Sequence, residues 1–209
     1  MHLLRFVLKY ERGLARIDQI VRQGAVLRSD YPCQCAACLS HAIIALHDLW
    51  ANACRSIVLT SAEGRCITRG GRRLDRPEML DPRESAIGYL RKHWTRAGKL
   101  MPRTWEPEWY IPNVAIRAAT LLNVGNLSEI TDGLGATVSA EPLRVTRNVV
   151  AHSLPSTWLR LRRLQEQLGI SELSRPEVFV LLRSEHGAGT QFLYLWSYDL
   201  KNALMAAIR

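Results

Sequence analysis

Apolar residues recur every three or four positions through most of the chain, whereas strict alternation of apolar and polar residues is rarely sustained. Residues 2–23 show this spacing clearly and are predicted to form an amphipathic helix that ends near Gly24. After Pro32 has broken the chain, residues 36–59 are predicted to form the central helix, because they are the most continuously apolar stretch. The pattern therefore predicts a mainly α-helical protein with seven or eight helices.

Start and stop signals place the later helices. Asp81 as N-cap and Pro82 in the first turn predict a helix that ends near Gly98. Further helical stretches are predicted at 114–124, near Ile130, from Ser139 to about Ser153, from Pro155 to Gly169, at 175–184 and at 190–208. In the helix that Pro155 starts, the residues expected to face a core are Leu159, Leu161, Leu164 and Leu168. The His-Gly-Ala-Gly segment at 186–189 is interpreted as a turn, because it lacks the strand and the lysine of a phosphate-binding loop.

Residues 61–82 differ from the rest of the chain, because glycine, proline and arginine dominate them. They predict a basic loop with a short hairpin near Arg65–Arg69. The loop is the best candidate for an RNA-binding patch, and its arginines are Arg65, Arg69, Arg72, Arg73 and Arg76. A solvated loop with no binding role is the alternative.

The chain has 209 residues and a formal net charge of +9, with 24 arginines and only four lysines. The guanidinium group grips phosphate with a planar fork, so a polyanionic partner is one explanation for the excess. Codon bias in a GC-rich genome is the other. The hydrophobic content of 47% excludes extensive disorder, and the length fits a single domain over 1–209 with the 61–82 loop inserted.

Location is predicted from apolar runs and cysteines. The longest apolar runs fall well short of the roughly 18 residues that a membrane span needs. Arg5 and Lys9 interrupt the apolar N-terminus, which makes it a poor secretory signal. Five cysteines, an odd number, fit a reducing compartment. We therefore expect a cytoplasmic protein with no membrane partner.

The most informative segment is Val145–Pro155, which reads Arg147-Asn148-x-x-x-His152 late in a helical chain and is followed by a turn. This segment resembles the motif of the HEPN superfamily. The resemblance implies an all-α, HEPN-like helical bundle with extra helices and a basic loop insertion. It also implies a metal-independent endoribonuclease that acts as a toxin or an anti-phage defence effector, without a cofactor.

The chemistry of RNA cleavage suits these residue types. The 2′-hydroxyl next to the scissile phosphate attacks the phosphorus, so the reaction needs proton transfers and positive charge for the transition state. Histidine fits the proton transfers, and the fork of arginine fits the phosphorane oxygens. We therefore assign Arg147 and His152 as the candidate catalytic pair, assisted by Asn148. No convincing carboxylate cluster for Mg²⁺ is present in the sequence.

The spacing of the pair constrains the geometry. Five residues on an ideal helix correspond to about 140° of rotation, so Arg147 and His152 should not share one narrow face. Either the helix is locally irregular, or two protomers share the cleft. The resemblance implies the second arrangement, a homodimer in which two motifs meet, with RNA as substrate and an antitoxin or defence-complex protein as a candidate partner.

Plainer interpretations stand beside this one. His152 fits a helix C-terminal histidine favoured by the macrodipole, and Arg147 fits a surface arginine. The alternative function is a non-catalytic helical subunit that binds nucleic acid or protein within a defence or toxin–antitoxin complex. His47 and Asp48, on the central helix, are candidates for supporting the motif helix, although a surface or interface role is the preferred interpretation.

Three cysteines near the start of the central helix have the residue types of a zinc site. Cys33, Cys35 and Cys38 precede His41, but one-residue spacing between the first two thiols is unusual for zinc. Small buried cysteines at a helix entry are the preferred interpretation. No metal site is therefore predicted, and a zinc-stabilised regulator is the least favoured hypothesis.

Overall fold

The computed structural model describes residues 1–26, 32–96, 99–100, 102, 104–172, 174–181 and 191–209. Its helices are α1 Leu4–Val26, α2 Pro32–Glu63, α3 Ala86–His93, α4 Pro112–Leu121, α5 Leu127–Gly135, α6 Ala140–His152, α7 Pro155–Gln167, α8 Pro176–Phe179 and α9 Phe192–Ala207. Its strands are β1 Cys66–Ile67, β2 Arg73–Leu74, β3 Thr95–Arg96 and β4 Lys99–Leu100. The strands form two antiparallel pairs, β1–β2 and β3–β4. The mainly α-helical class predicted from the periodicity is confirmed.

The described chain divides into two compact units. Unit 1 comprises Met1–Tyr10, Ala51–Thr137 and Lys201–Arg209, and unit 2 comprises Glu11–Trp50 and Val138–Leu200. Helices α1, α2 and α9 therefore contribute residues to both units. The single domain over 1–209 stays a prediction.

The core of unit 1 forms beneath a small hairpin. In that hairpin Cys66 pairs with Leu74 and Ile67 pairs with Arg73, and only the first pair is buried. The N-terminal residues extend this structure, because the backbone N–H of Ile67 donates to the carbonyl of Met1 at 2.8 Å. The hairpin predicted near Arg65–Arg69 therefore exists and extends to Leu74.

The core of unit 2 contains the motif helix. Ile43, Leu46 and Trp50 of α2 are fully buried, and Leu143 of α6 is buried too. Helix α6 packs against both α7 and α8 within this unit. Three aromatic rings close the core, with ring centroids 5.1 to 6.0 Å apart, and they belong to Phe179, Phe192 and Trp196.

Several predicted helix boundaries are wrong. Helix α2 begins at Pro32 itself, because the first helical position needs no backbone N–H donor. Helix α3 is capped by Ser85, whose hydroxyl accepts from the N–H of Gly88 at 3.1 Å, and not by Asp81. The Asp81 carboxylate instead accepts from the N–H of Arg83 in a preceding turn. Helix α3 then ends at His93, because the following residues are extended and form β3.

Two predictions about the later helices also change. Helix α8 ends at Phe179, and most of the rest of the predicted 175–184 helix lies outside the described residues. The turn predicted at 186–189 lies outside them as well. In α7, Leu159 is 50% exposed, whereas Leu161 and Leu164 are buried. The helical period therefore directs Leu159 to solvent and away from the core.

Helix α2 qualifies the exclusion of a membrane span. Within the described part of the chain, Gln34–Glu63 is the one segment long and apolar enough to cross a bilayer by length and composition, with a mean hydropathy of 1.2. Half of the most apolar 18-residue stretch of this segment is buried inside the protein, and the core helix of a soluble protein has the same property. The length of uninterrupted apolar runs is therefore too strict a criterion for excluding a membrane span. In α2 the small residues between the apolar runs keep the mean hydropathy of the whole segment high.

Candidate active site

Helix α6 carries the three motif residues at its C-terminal end. Its N-terminus is held by Asp199, whose Oδ2 accepts from the backbone N–H groups of Val138 and Ser139 at 3.2 and 3.1 Å. At the other end Ser153 adopts a left-handed conformation, with φ 47° and ψ 33°, and its N–H donates to the carbonyl of Val149. His152 is therefore the last helical residue, as the proline at position 155 predicted.

The side chains of the motif residues converge. Nη1 of Arg147 lies 3.4 Å from Oδ1 of Asn148 and 3.4 Å from Nε2 of His152. Helix α6 runs without interruption across these positions. The expectation that an irregular helix or a second protomer is needed to bring Arg147 and His152 together is therefore wrong, because the long arginine side chain spans the angular gap.

This contact assigns roles to the imidazole nitrogens of His152. A guanidinium group has donors and no acceptor, so a hydrogen bond from Arg147 requires Nε2 of His152 to accept. The proton of a neutral His152 is then on Nδ1, and Nε2 carries the lone pair. The 3.4 Å separation is long for a hydrogen bond, so Arg147 can exchange this partner for a better acceptor.

The pair combines exposure with an available donor. His152 is exposed and Arg147 is half-buried. The Nε of Arg147 is buried and has no hydrogen-bond partner among the described residues. None of the carboxylates in that part of the chain forms an ion pair with Arg147. The site therefore offers the movable Nη edge of the guanidinium to an incoming oxyanion.

His47 lies within electrostatic range of this arginine. It is 5% exposed, and its Nδ1 is 3.3 Å from Oδ1 of the exposed Asp48. Burial lowers the pKa of His47, and the positive charges of Arg147 and Arg144 lower it further, against the opposing effect of the Asp48 hydrogen bond. The structure thus places His47 near the motif helix as a neutral side chain at physiological pH.

The arginines predicted to bind RNA fall into two groups. Arg72 forms an ion pair with Glu129, and Arg76 is bound to Glu63 at 2.7 Å. Arg76 also donates to the carbonyls of Leu80, Asp81 and Glu84, at 3.2 and 2.6 Å for the first two. Its position within the fold is therefore that of a structural anchor. The members with exposed side chains and no ion pair among the described residues are Arg65, Arg69 and Arg73.

The cysteine cluster does not assemble a metal site in the described part of the chain. Cys35 is buried and Cys38 is half-buried, and both are free thiols. The side chain of Cys33 lies outside the described residues. Within the described residues no group of three or more histidine, cysteine or acidic side chains is arranged to hold a metal ion.

Two arginines escaped the sequence analysis. Arg160 and Arg163 lie on α7, which packs directly against the motif helix, and both are exposed. Their spacing of three residues in a helix that immediately follows the motif was the available signal. The arginines of residues 61–82 are easier to recognise in the sequence, because they stand in a glycine-rich loop.

Comparison of the chain with protein-family models, with curated proteins and with solved structures gives no match.

Proposed function

We propose that this chain is a metal-independent endoribonuclease of the HEPN type, in which Arg147 and His152 are the catalytic pair and Asn148 assists. One observation carries the proposal. The guanidinium of Arg147, the amide of Asn148 and the imidazole of His152 lie together at the exposed end of one helix, without a carboxylate bound to the arginine.

The reaction follows from the substrate and these groups. The 2′-oxygen of the RNA forms a bond to the adjacent phosphorus, and the bond from that phosphorus to the 5′-oxygen breaks. Nε2 of His152 takes the proton of the 2′-hydroxyl. The 5′-oxygen takes up a proton as it leaves, and the products are a 2′,3′-cyclic phosphate and a 5′-hydroxyl.

Arg147 supplies the charge that this step needs. Negative charge builds on the non-bridging phosphate oxygens in the transition state, and guanidinium donors directed at them typically contribute about 3–4 kcal/mol each. The two terminal nitrogens of the guanidinium, Nη1 and Nη2, can address two oxygens together. Because Nη1 then leaves His152, the same movement frees Nε2 for the proton transfer. Oδ1 of Asn148 accepts from the same Nη1 and holds it near the reacting phosphate.

The biological setting is also part of the proposal. A homodimer would add a second copy of His152, which would supply the proton for the leaving 5′-oxygen. Such a nuclease would act in the cytoplasm, as a toxin or an anti-phage effector restrained by a protein partner. The contact between Arg147 and His152 within one chain means that the dimer is not needed to form each pair.

Cleavage of a labelled RNA in the presence of EDTA tests the proposal. We expect the wild-type chain to yield 2′,3′-cyclic phosphate ends, and we expect His152→Ala to lower the rate by about 10²- to 10⁴-fold. His93→Ala is the matched control, because His93 is also an exposed histidine at the last position of a helix. If the loss of a helix-terminal histidine lowers the cleavage rate only by weakening the fold, both variants should be slower. If His152 is a catalytic group, only His152→Ala should be slower.

Two results would contradict the assignment. The first is undiminished cleavage by His152→Ala in a preparation that keeps its fold. The second is cleavage that stops when EDTA is added, since that would indicate a metal-dependent reaction. A wild-type chain that binds RNA without cleaving it would support the non-catalytic binding subunit instead.

A further inference from the structure

Helix α7, which packs against the motif helix, carries two exposed arginines, Arg160 and Arg163. It follows α6 after a two-residue connection, Ser153 and Leu154, and packs against α6 within unit 2. Leu161, Leu164 and Gln165 are buried, which fixes the rotation of the helix about its axis. Arg160 and Arg163 therefore face solvent, because the buried residues prevent α7 from rotating about its axis.

The charges of α6 and α7 do not balance within these two helices. Two of their arginines bind the only acidic residues of the pair. Arg144 holds Glu141 with contacts of 2.7 and 2.5 Å, and Arg162 holds Glu166 at 3.0 Å. The arginines left without a carboxylate partner among the described residues are Arg147, Arg160 and Arg163. Three positive charges on these two contacting helices are thus not neutralised by an ion pair among the described residues.

We propose that Arg160 and Arg163 form a binding track for the sugar–phosphate backbone of the RNA strand whose scissile phosphate lies at Arg147 and His152. The proposal rests on the proposed function. Arginines three positions apart on a helix are neighbours on its surface, so their forks can address successive phosphates of one strand. Backbone contacts of this kind position a strand without reading its sequence.

The track is a stronger candidate for the main backbone contact than the hairpin in unit 1. Two of the five hairpin arginines, Arg72 and Arg76, already bind carboxylates. The α7 arginines belong to the same unit as Arg147, and only Ser153 and Leu154 separate their helix from His152. An acidic protein surface is the other polyanion that such a face could meet, and a wild type that binds no oligonucleotide in the experiment below would favour it.

Binding of a 2′-O-methyl oligoribonucleotide, measured by fluorescence anisotropy at several salt concentrations, tests the track. This probe lacks the attacking hydroxyl, so binding is measured without cleavage. We expect Arg160→Gln/Arg163→Gln to bind more weakly than the wild type. The slope of log affinity against log salt should become shallower by about 1.4, since each phosphate contact on a single strand contributes about 0.7.

Two double variants serve as controls. Arg69→Gln/Arg73→Gln removes the same two charges from the exposed hairpin and should change the slope less. Arg162→Gln/Glu166→Gln removes an exposed ion pair from α7 without changing the net charge and should leave the slope unchanged. The first control shows whether the loss of any two positive charges has the same effect. The second shows whether a disturbance of α7 has it.

The outcomes for the track and for the nuclease are distinct. An unchanged slope for Arg160→Gln/Arg163→Gln, an equal loss for the hairpin variant, or a wild type that binds no oligonucleotide overturns the track. If cleavage depends on His152 while the slope is unchanged, the track fails and the nuclease stands. If binding depends on Arg160 and Arg163 while the wild type cleaves no RNA, the nuclease fails and the track stands as a binding surface.

Discussion

Nη1 of Arg147 lies 3.4 Å from Nε2 of His152, although the two residues are separated by about 140° around an uninterrupted helix. The contact forms because His152 is the final helical residue and the arginine side chain is long enough to reach it. A motif of five-residue spacing can therefore bring a guanidinium group and an imidazole into contact within one chain. This relationship leads to the first prediction.

Arg147→Lys should separate charge from geometry. Lysine keeps the positive charge but presents it as a compact point without the planar fork. We expect RNA binding to change little and the cleavage rate constant to fall at least about tenfold, because two parallel donors to the phosphate are lost. Single-turnover cleavage with excess enzyme measures this directly. Arg144→Lys, one turn earlier and bound to Glu141, is the control that should retain the rate.

His47 should make the protein less stable as the pH falls below neutrality. Its pKa in the folded protein is lowered by burial and by Arg147 and Arg144, with Asp48 opposing them. The unfolded chain therefore binds a proton first, so the stabilising contribution is complete above a pH of about 6.5 and is lost as the pH falls toward the folded pKa. Denaturant unfolding at pH 7.5 and 5.5 should show the decrease.

His47→Asn removes the titrating group and should make that decrease smaller. Each unit of pKa difference corresponds to about 1.4 kcal/mol in the free energy of unfolding. His93→Asn replaces an exposed histidine and should keep the wild-type pH dependence. A decrease between these pH values that is identical in wild type and His47→Asn would assign the effect to other groups.

Arg76 should matter for folding and Arg73 should not, although both belong to the predicted RNA-binding set. Arg76→Gln breaks the contact with Glu63 and leaves the carbonyls of Leu80, Asp81 and Glu84 without this donor. We expect the free energy of unfolding to fall by about 2–3 kcal/mol. Arg73→Gln removes the same charge from an exposed side chain and should leave stability unchanged. Equal midpoints for the two variants in urea would contradict the structural role of Arg76.

Gly133 permits a close approach between α5 and α9 within unit 1. A Cβ at this position would lie 2.5 Å from the backbone nitrogen of Ala207 and 2.6 Å from the carbonyl oxygen of Ala203. Gly133→Ala should therefore destabilise the fold by about 1–3 kcal/mol, because backbone atoms cannot move aside as a side chain can. Gly135→Ala is the matched control, since its Cβ would only reach Ile116 at 3.8 Å. A thermal midpoint for Gly133→Ala equal to that of Gly135→Ala would exclude this packing.

Local signals in the sequence were sufficient for the helical class and for the motif helix. The apolar period identified most helices, and Pro155 placed the end of α6 within one residue, because a proline restricts the backbone of its own neighbours. The hairpin near Arg65 was likewise anticipated from its glycines. These features depend on interactions between residues close together in the chain.

Which side chains have ion-pair partners depends on contacts between distant parts of the chain. Arg72 and Glu129 are 57 residues apart, and Arg76 and Glu63 are 13 apart, so no local pattern distinguishes these arginines from the exposed Arg69 and Arg73. Leu159 is a different case, because it lies two residues before the buried Leu161, and the helical period alone places it on the opposite side of α7. Local sequence patterns were enough to find the helices and the candidate motif. Tertiary packing decided which of the arginines are neutralised, because an ion pair requires atoms brought within a few ångströms by folding.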